Sequence, residues 1–346
     1  RPREEGRTLA APLAYPTDLR APRSEPMRAI AYDKYGPPDV LHLVEVEQPT
    51  PRGAELLIKV HATTVNRTDV AFRRAEYFIN RLVSGLLRPK RKVLGSEFAG
   101  VVAAVGKDAS RFRVGDRVFG LSTFNFGAHA EYLCMDERRA IATMPENLAF
   151  DEAAAVCEGM MLAYNYIRRI DFTTPRSILI NGATGSIGSA AVQLARYHGA
   201  AITATAKTAA LELVRSLGAD EVIDYTQEDF TRLDRRFDVV LDAVGKSTFF
   251  RCRGLLKPGG TYYSTELGPY WQNIGLALTT PLLRGRRVGF PIPSDSQEDM
   301  LFFKKLLEEG KYRPVIDRRY PLAEVVEATR YVETGEKTGN VVITVA

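Results

Sequence analysis

Asn181-Gly182-Ala183-Thr184-Gly185-Ser186-Ile187-Gly188 lies between the apolar run Ser177-Ile178-Leu179-Ile180 and the segment Ser189-Ala190-Ala191-Val192-Gln193-Leu194-Ala195. The first flank reads as a buried strand and the second as a helix. A glycine-rich turn from strand to helix aims unsatisfied N–H groups and the positive end of the helix dipole at one point, which suits a phosphate. In the dinucleotide pattern G-x-G-x-x-G, Gly185 and Gly188 fill the second and third places, and Ala183 stands where the first glycine belongs. Alanine is nearly as small, and Gly182 just before it supplies the freedom a tight turn needs.

Working outward, SILINGA, GSAAVQLARYHG, AITATA, LELVRSLG, EVIDY, FDVVLDAVG, FFRCRGLLKPGG and TYYSTE alternate strand and helix patterns. Short apolar strands joined by helices are the signature of a parallel, doubly wound α/β sheet. Its second strand ends Thr203-Ala204-Thr205-Ala206-Lys207-Thr208, without the acid that an NAD enzyme usually offers the ribose 2′-hydroxyl. Lys207, with Thr205 and Thr208, would instead welcome a 2′-phosphate, so the expected cofactor is NADPH. Upstream, DEAAAVCEGMMLAYNYIRRI reads as one helix from Asp151 to Arg168-Arg169. From Met27 to about Met144 the chain reads as strands and turns, an all-β lobe. Near the end, SQEDMLFFKKLLEEGK is a further helix, after which the sequence leaves the alternating rhythm.

The chain has 346 residues, enough for two domains, with 45% apolar and 26% charged residues and a net charge of +5. That charge is too weak to announce a nucleic-acid binder. No apolar run is long enough to span a bilayer, and no membrane partner is expected. Cys134, Cys157 and Cys252 are far apart and odd in number, which excludes a disulfide framework and suits a reducing compartment, with the cytoplasm as the expected location. Residues 1–26 are rich in Pro and Arg and read as a flexible tail or foreign upstream sequence. Glu4, Glu5, Asp18 and Glu25 speak against a transit peptide.

The motifs VNRTD, GSEFAGVVAAVG, FRVGDRVFG, GATGSIGSAAVQLA, LGADEVIDY, DVVLDAVG and LLKPGGTY follow one another across essentially all of Met27 to Ala346. In this order they resemble the medium-chain dehydrogenase/reductase superfamily. The resemblance implies a GroES-like, β-rich catalytic domain over 27–149 and 312–346 and a Rossmann NADP(H)-binding domain over 150–311. Zinc alcohol dehydrogenases of the superfamily carry a Cys in V-C-x-S-D, a G-H-E motif and a later Cys. The matching positions here are Asn66, Ser96 and Cys157. One thiol does not make a site of three protein ligands and a water, and the neighbouring Glu97 does not rescue it. No cysteine lies between Gly95 and Leu133, so the structural zinc lobe is missing too, and no metal is expected.

The zinc-free branch that the chain resembles is the quinone oxidoreductase (zeta-crystallin-like) group, with enone and enoyl-thioester reductases nearby. This implies hydride transfer from NADPH to quinones or α,β-unsaturated carbonyl compounds, whose conjugation delocalises the developing charge without a strong Lewis acid. Carried over position by position, Asn66 would lie near the nicotinamide and the substrate carbonyl, with Thr68 and Asp69 in the same loop, Asp69 ordering backbone. Gly185, Ser186, Ile187 and Gly188 would hold pyrophosphate. Tyr225 would contact the adenosine phosphate side. Val244, Thr265 and Phe290 would line the ribose and nicotinamide, and Lys337 would approach from the other lobe. One departure is Met161, where the family often has a threonine that touches the nicotinamide.

Tyr77 lies in a segment that often borders the substrate pocket in this family, where it could protonate an enolate; packing is the competing reading. The histidines His42, His61, His129 and His198 share no ligand spacing. Arg81, Arg88, Lys90, Arg91 and Lys92 form a basic cluster that could hold an anionic substrate tail or nucleic acid, or simply be solvated. The stretch from Gly275 to Leu283 and the strand-like RRVGFPI suggest, by the same resemblance, an edge that pairs in a homodimer. The readings that compete with a quinone or enone reductase are an NADP-dependent alcohol/carbonyl oxidoreductase and a noncatalytic NADPH-binding protein.

Overall fold

Six strands pair in parallel in the spatial order Glu221–Asp224, Ala201–Ala206, Ser177–Asn181, Phe237–Asp242, Leu256–Ser264 and Arg287–Gly289. The order of chain travel reverses between Ser177–Asn181 and Phe237–Asp242, which opens a crevice at their carboxyl ends. These features come from a computed structural model that describes residues 25–123, 125–282 and 285–345; most of the N-terminal tail lies outside the described residues. The apolar runs of the sequence become strands because both sheet faces are covered. Ile178, Leu179, Ile180 and Val240 are all completely buried.

The first lobe is built on a seven-stranded sheet ordered Ile316–Pro321, Asn340–Thr344, Glu55–Val65, Glu97–Val105, Arg117–Leu121 and Ile141–Thr143, with Tyr132–Asp136 also paired to Glu55–Val65. The chain's last strand runs antiparallel to Glu55–Val65, with Val341 opposite Val65. The C-terminal segment therefore leaves the α/β rhythm because its partners lie in the first lobe. One apolar cluster joins the two lobes through small residues, running from Ala99 and Phe119 through Ala154 and Met160 to Ile178 and Ala190.

The expected single helix from Asp151 is two helices, Phe150–Ala154 and Cys157–Ile167. Side chains of the first lobe cause the break. Asn340 Nδ2 donates to the Ala155 carbonyl at 2.9 Å, and the Glu158 N–H donates to Glu97 Oε2 at 2.7 Å. The backbone groups at the junction find partners outside the helix, so continuing it gains nothing.

Candidate active site

In the glycine turn, Gly182 takes a left-handed φ of 81° and Ala183 does not. A Cβ on Gly182 would meet the Val244 side chain at 2.3 Å. Ala183 is fully buried, and its N–H donates to the Thr205 carbonyl at 3.1 Å. Alanine in the first slot therefore costs nothing, because the residue before it makes the turn. Gly188 packs so closely that a Cβ would lie 2.1 Å from the Gly182 oxygen, which seats the helix Ser186–Tyr197 on the strand. Beyond the turn there is room: a Cβ on Gly185 would have no neighbour nearer than 3.8 Å. No side chain caps the helix, and Ser189 makes its first bond, to the Gly185 carbonyl at 2.9 Å. The N–H groups of Ser186, Ile187 and Gly188 precede that ladder, so the cradle fits a phosphate of a dinucleotide.

Polar side chains brace the turn from behind. Thr205 Oγ1 accepts the Gly182 N–H at 2.9 Å and donates to Asn181 Oδ1 at 2.8 Å. Asn181 Nδ2 donates to Asp242 Oδ1 at 2.9 Å, and Asp242 Oδ2 accepts the Ser247 N–H at 2.8 Å. Thr205 therefore departs from expectation. It is completely buried with its hydroxyl taken up by the turn, so it holds the cradle and does not greet a 2′-phosphate. Thr265 joins the same brace through its N–H, which donates to the Asp242 carbonyl at 3.1 Å. Phe290 follows the outermost strand, two strands removed from Phe237–Asp242, and is half-buried.

At the ends of Ala201–Ala206 and Glu221–Asp224, the structure brings Lys207, Thr208 and Tyr225 together; the Tyr225 N–H donates to the Ala206 carbonyl at 3.1 Å. It also brings two acids that the second strand alone does not carry. Thr208 Oγ1 donates to Asp224, whose carboxyl is held below its usual range by the hydroxyls of Thr208 and Thr226. Lys207 Nζ donates to the Glu336 carbonyl oxygen at 3.3 Å and lies 3.8 Å from the Glu336 carboxylate. Lys207 thus faces a neighbouring carboxylate as well as the space beyond the strand ends.

In the other lobe, Asn66 is buried and caps the helix Arg67–Arg74. Its Oδ1 accepts the Asp69 N–H at 2.9 Å, and its Nδ2 donates to Ser96 Oγ at 2.7 Å. Asp69 accepts the Asn66 and Gly95 N–H groups at 3.3 and 3.0 Å, the backbone-ordering role expected of it. Next to them, buried Glu97 accepts from the Thr64 hydroxyl and the Glu158 N–H, while burial pushes its carboxyl up to about 7. Burial and the Glu97 charge hold the Cys157 thiol well above its ordinary pKa. Among the described residues, no three His, Cys, Asp or Glu side chains gather where they could hold a metal ion.

Glu158 was missed because a lone acid in an apolar helix carries no motif. Burial, then the charge of Glu97, pushes its carboxyl well up, while a hydrogen bond from Thr68 and the charge of Lys337 oppose the shift. Lys337 Nζ donates to the Gly339 carbonyl at 2.5 Å, and the Gly339 N–H donates to the Thr184 carbonyl at 2.6 Å. Thr68, Glu158 and Lys337, from three separate segments, thus meet next to the glycine turn. Burial lowers the Lys337 pKa against the opposing charges of Glu158 and Glu97. Met161 is buried, with its Sδ accepting from Asn165 Nδ2 at 3.2 Å. Tyr77 spans the lobes: its hydroxyl donates to Glu266 Oε2 at 2.5 Å, from the loop after Leu256–Ser264. Burial and that bond push its pKa upward.

Comparison with known proteins agrees with this architecture. Residues 52–146 match the alcohol dehydrogenase GroES-like domain, and residues 217–343 match the zinc-binding dehydrogenase family. The chain is 36% identical over 332 residues to 2-methylene-furan-3-one reductase of Solanum lycopersicum, covering 92% of this chain and 79% of the relative. It is 33% identical to the chloroplastic NADPH-dependent alkenal/one oxidoreductase of Arabidopsis thaliana, with the same coverage. The solved quinone oxidoreductase from Coxiella burnetii superposes with a TM-score of 0.83 at 29% identity, covering 93% of this chain and all of that one. The chain belongs to the medium-chain dehydrogenase/reductase superfamily, in its quinone oxidoreductase group.

Of the three positions that match the zinc ligands of that superfamily, Asn66 and Ser96 are bonded to each other, while the Cys157 thiol turns to the Ala153 carbonyl of the preceding helix. Tertiary partners, beyond reach of the sequence motifs, supplied Glu158, Asp242, Glu266 and the acids flanking Lys207. The signal for Asp242 was present, since it ends a buried strand before Ala243-Val244-Gly245, but its role as a brace needed the neighbouring strand.

Proposed function

We propose that this protein is a zinc-independent, NADPH-dependent oxidoreductase that reduces quinones or α,β-unsaturated carbonyl compounds. The observation that carries the reading is the pairing of an open phosphate cradle with a metal corner whose amide and hydroxyl, Asn66 and Ser96, satisfy each other. Bound NADPH supplies a hydride, and a conjugated acceptor takes it without Lewis-acid help. The protein's part is to bind and orient. Ser186, Ile187 and Gly188 hold the pyrophosphate, and Lys207, Thr208 and Tyr225 meet the 2′-phosphate end. Val244 and Thr265 shape the wall beside the turn, with Phe290 farther along the sheet. Asn66, Thr68 and Tyr77 face the substrate side, and Lys337 fastens the C-terminal turn against the cradle.

The division into a GroES-like domain over 27–149 with 312–346 and a Rossmann domain over 150–311 is part of this reading, supported by the sheet partners of Asn340–Thr344. A homodimer through the edge strand Arg287–Gly289 is also proposed, supported by exposed Tyr270, Trp271, Leu278 and Ile292 around that edge. The cytoplasm is our proposed location, supported by the unpaired cysteines. NADPH oxidation against a panel of quinones, enones and simple aldehydes tests the function. Turnover with quinones or enones that survives chelator treatment is expected. Turnover confined to aldehydes, or abolished by the chelator and restored by zinc, overturns it.

A further inference from the structure

Outside the edge assigned to the dimer, one cluster of large apolar side chains stands in solvent with no role so far. Phe78, Leu82, Val83, Leu86 and Leu87 are 61, 59, 48, 56 and 84% exposed. They belong to FINRLVSGLLRPKRK, residues 78–92, which contains no acid. The helix Phe78–Ser84 at its start is built the wrong way round for a soluble surface helix: its polar Asn80 and Ser84 are buried while Phe78, Leu82 and Val83 face out.

This inversion is held in place. Asn80 Nδ2 donates to the Ala71 carbonyl at 2.8 Å, and Tyr35 Oη donates to the Gly85 carbonyl at 2.5 Å. The Lys90 N–H donates to the Ser84 carbonyl at 2.7 Å, closing the loop that carries Leu86 and Leu87. Around that loop stand Arg88 and Lys90, both exposed, with Arg91 held by Asn125 at 2.8 Å and Lys92 paired with Asp33 at 2.7 Å. Arg81 lies over the Tyr35 ring at 4.9 Å. Five basic residues against the facing acid Asp33 leave this rim strongly positive.

We propose that residues 78–92 dock this protein onto the surface of an anionic lipid bilayer, the five apolar side chains entering the interface while Arg88, Lys90 and their neighbours meet the headgroups. Outward aliphatic side chains ringed by cations are the chemistry of an interfacial segment. The segment is far too short to span, and no described helix is long and apolar enough to cross a membrane. A second copy fits poorly, because a two-fold contact through this face would set like charges against each other. RNA would use stacking rings, and here only Phe78 is aromatic among the outward apolar groups. Tyr77, at the root of the segment, spans the lobes to Glu266, so docking sets the substrate side of the cleft against the bilayer. This last point rests on the proposed function and fits acceptors that partition into lipid; the docking itself does not depend on it.

The test is flotation of the full chain with vesicles of phosphatidylcholine alone and of phosphatidylcholine with a quarter phosphatidylserine. The protein should float with the anionic vesicles at low ionic strength, be released by high salt, and ignore the neutral ones. Leu86→Ser with Leu87→Ser, and separately Arg88→Ser with Lys90→Ser, should each weaken vesicle affinity by about tenfold. Both variants should keep the wild-type Tm and NADPH titration. Wild-type protein that stays unbound to anionic vesicles at low salt overturns the proposal, as do two folded variants that float like wild type. A leucine variant that turns a dimer into a monomer in sedimentation assigns the face to a second copy and also overturns it. Retention of single-stranded RNA without vesicle binding assigns it to nucleic acid.

Discussion

The glycine turn and the corner around Asn66 and Glu97 are both assembled from buried polar groups, yet their hydrogen bonds run differently. In the turn, Asn181, Thr205 and Asp242 bond one another behind the backbone, and no side chain caps the helix that begins at Ser186. In the corner, Asn66 bonds Ser96, Thr64 bonds Glu97, and the Glu158 N–H closes on Glu97, so the polar atoms satisfy each other. One network braces a turn whose helix end stays uncapped by any side chain, and the other closes on itself. Polar residues at a lobe interface therefore say little about binding until the direction of their hydrogen bonds is known.

The largest expected effect breaks the turn itself. Gly188→Val places a branched side chain where a bare Cβ already lies 2.1 Å from a backbone oxygen, and neither backbone can yield. Overpacking of this kind costs about 3 kcal/mol, and NADPH affinity measured by fluorescence titration should fall by about a hundredfold. An unchanged Kd would remove the close helix–strand contact from the account.

The corner predicts a pH effect instead. With its carboxyl pushed up to about 7, folded Glu97 keeps a proton that the unfolded chain releases above its ordinary value of 4.5. Stability should therefore fall as pH rises through that window. Glu97→Gln removes this share, since its amide oxygen still accepts the Glu158 N–H and its NH₂ reaches Thr64. Thermal unfolding between pH 5 and 7 should show a shallower fall in Tm for the variant. Parallel curves for the two proteins would show that Glu97 is ionised throughout.

A smaller effect is expected at the second-strand corner, where Lys207 competes with Glu336. Lys207→Ala should lower kcat/KM with NADPH about tenfold and leave NADH nearly untouched. Equal loss with both cofactors would make Lys207 a structural residue. Smallest is the tie between the lobes. Tyr77→Phe and Glu266→Ala each remove one side of the same hydrogen bond, so both should lower kcat by about threefold at unchanged NADPH affinity. A much larger loss from Tyr77→Phe alone, with a shifted pH profile, would make the phenol the proton donor.

The reading of NGATGSIG as a turn between a buried strand and a helix matches the structure because its information is local. Gly182 and Gly188 are required by backbone geometry that eight consecutive residues specify, and the flanking apolar run shows that the strand is buried. Thr205 was misjudged for the opposite reason. On the sequence it is one of two threonines beside a lysine, and only the neighbouring strand shows that its hydroxyl points back at Asn181. The helix expected from Asp151 failed in the same way, since Asn340 and Glu97, far off in the chain, divert its backbone groups. Asp224 reached the Lys207 corner from a different strand, which no reading of AITATAKT could foresee.

By itself, the sequence determined the α/β architecture and the glycine turn from strand to helix, because each depends on side-chain size and periodicity along a short stretch. Only the tertiary structure decided which polar groups face a ligand and which face each other. It also turned Phe78, Leu82, Val83, Leu86 and Leu87 outward while burying Asn80 and Ser84. Hydrogen-bond direction and burial are properties of neighbours in space, and those neighbours come from segments that the chain order keeps apart.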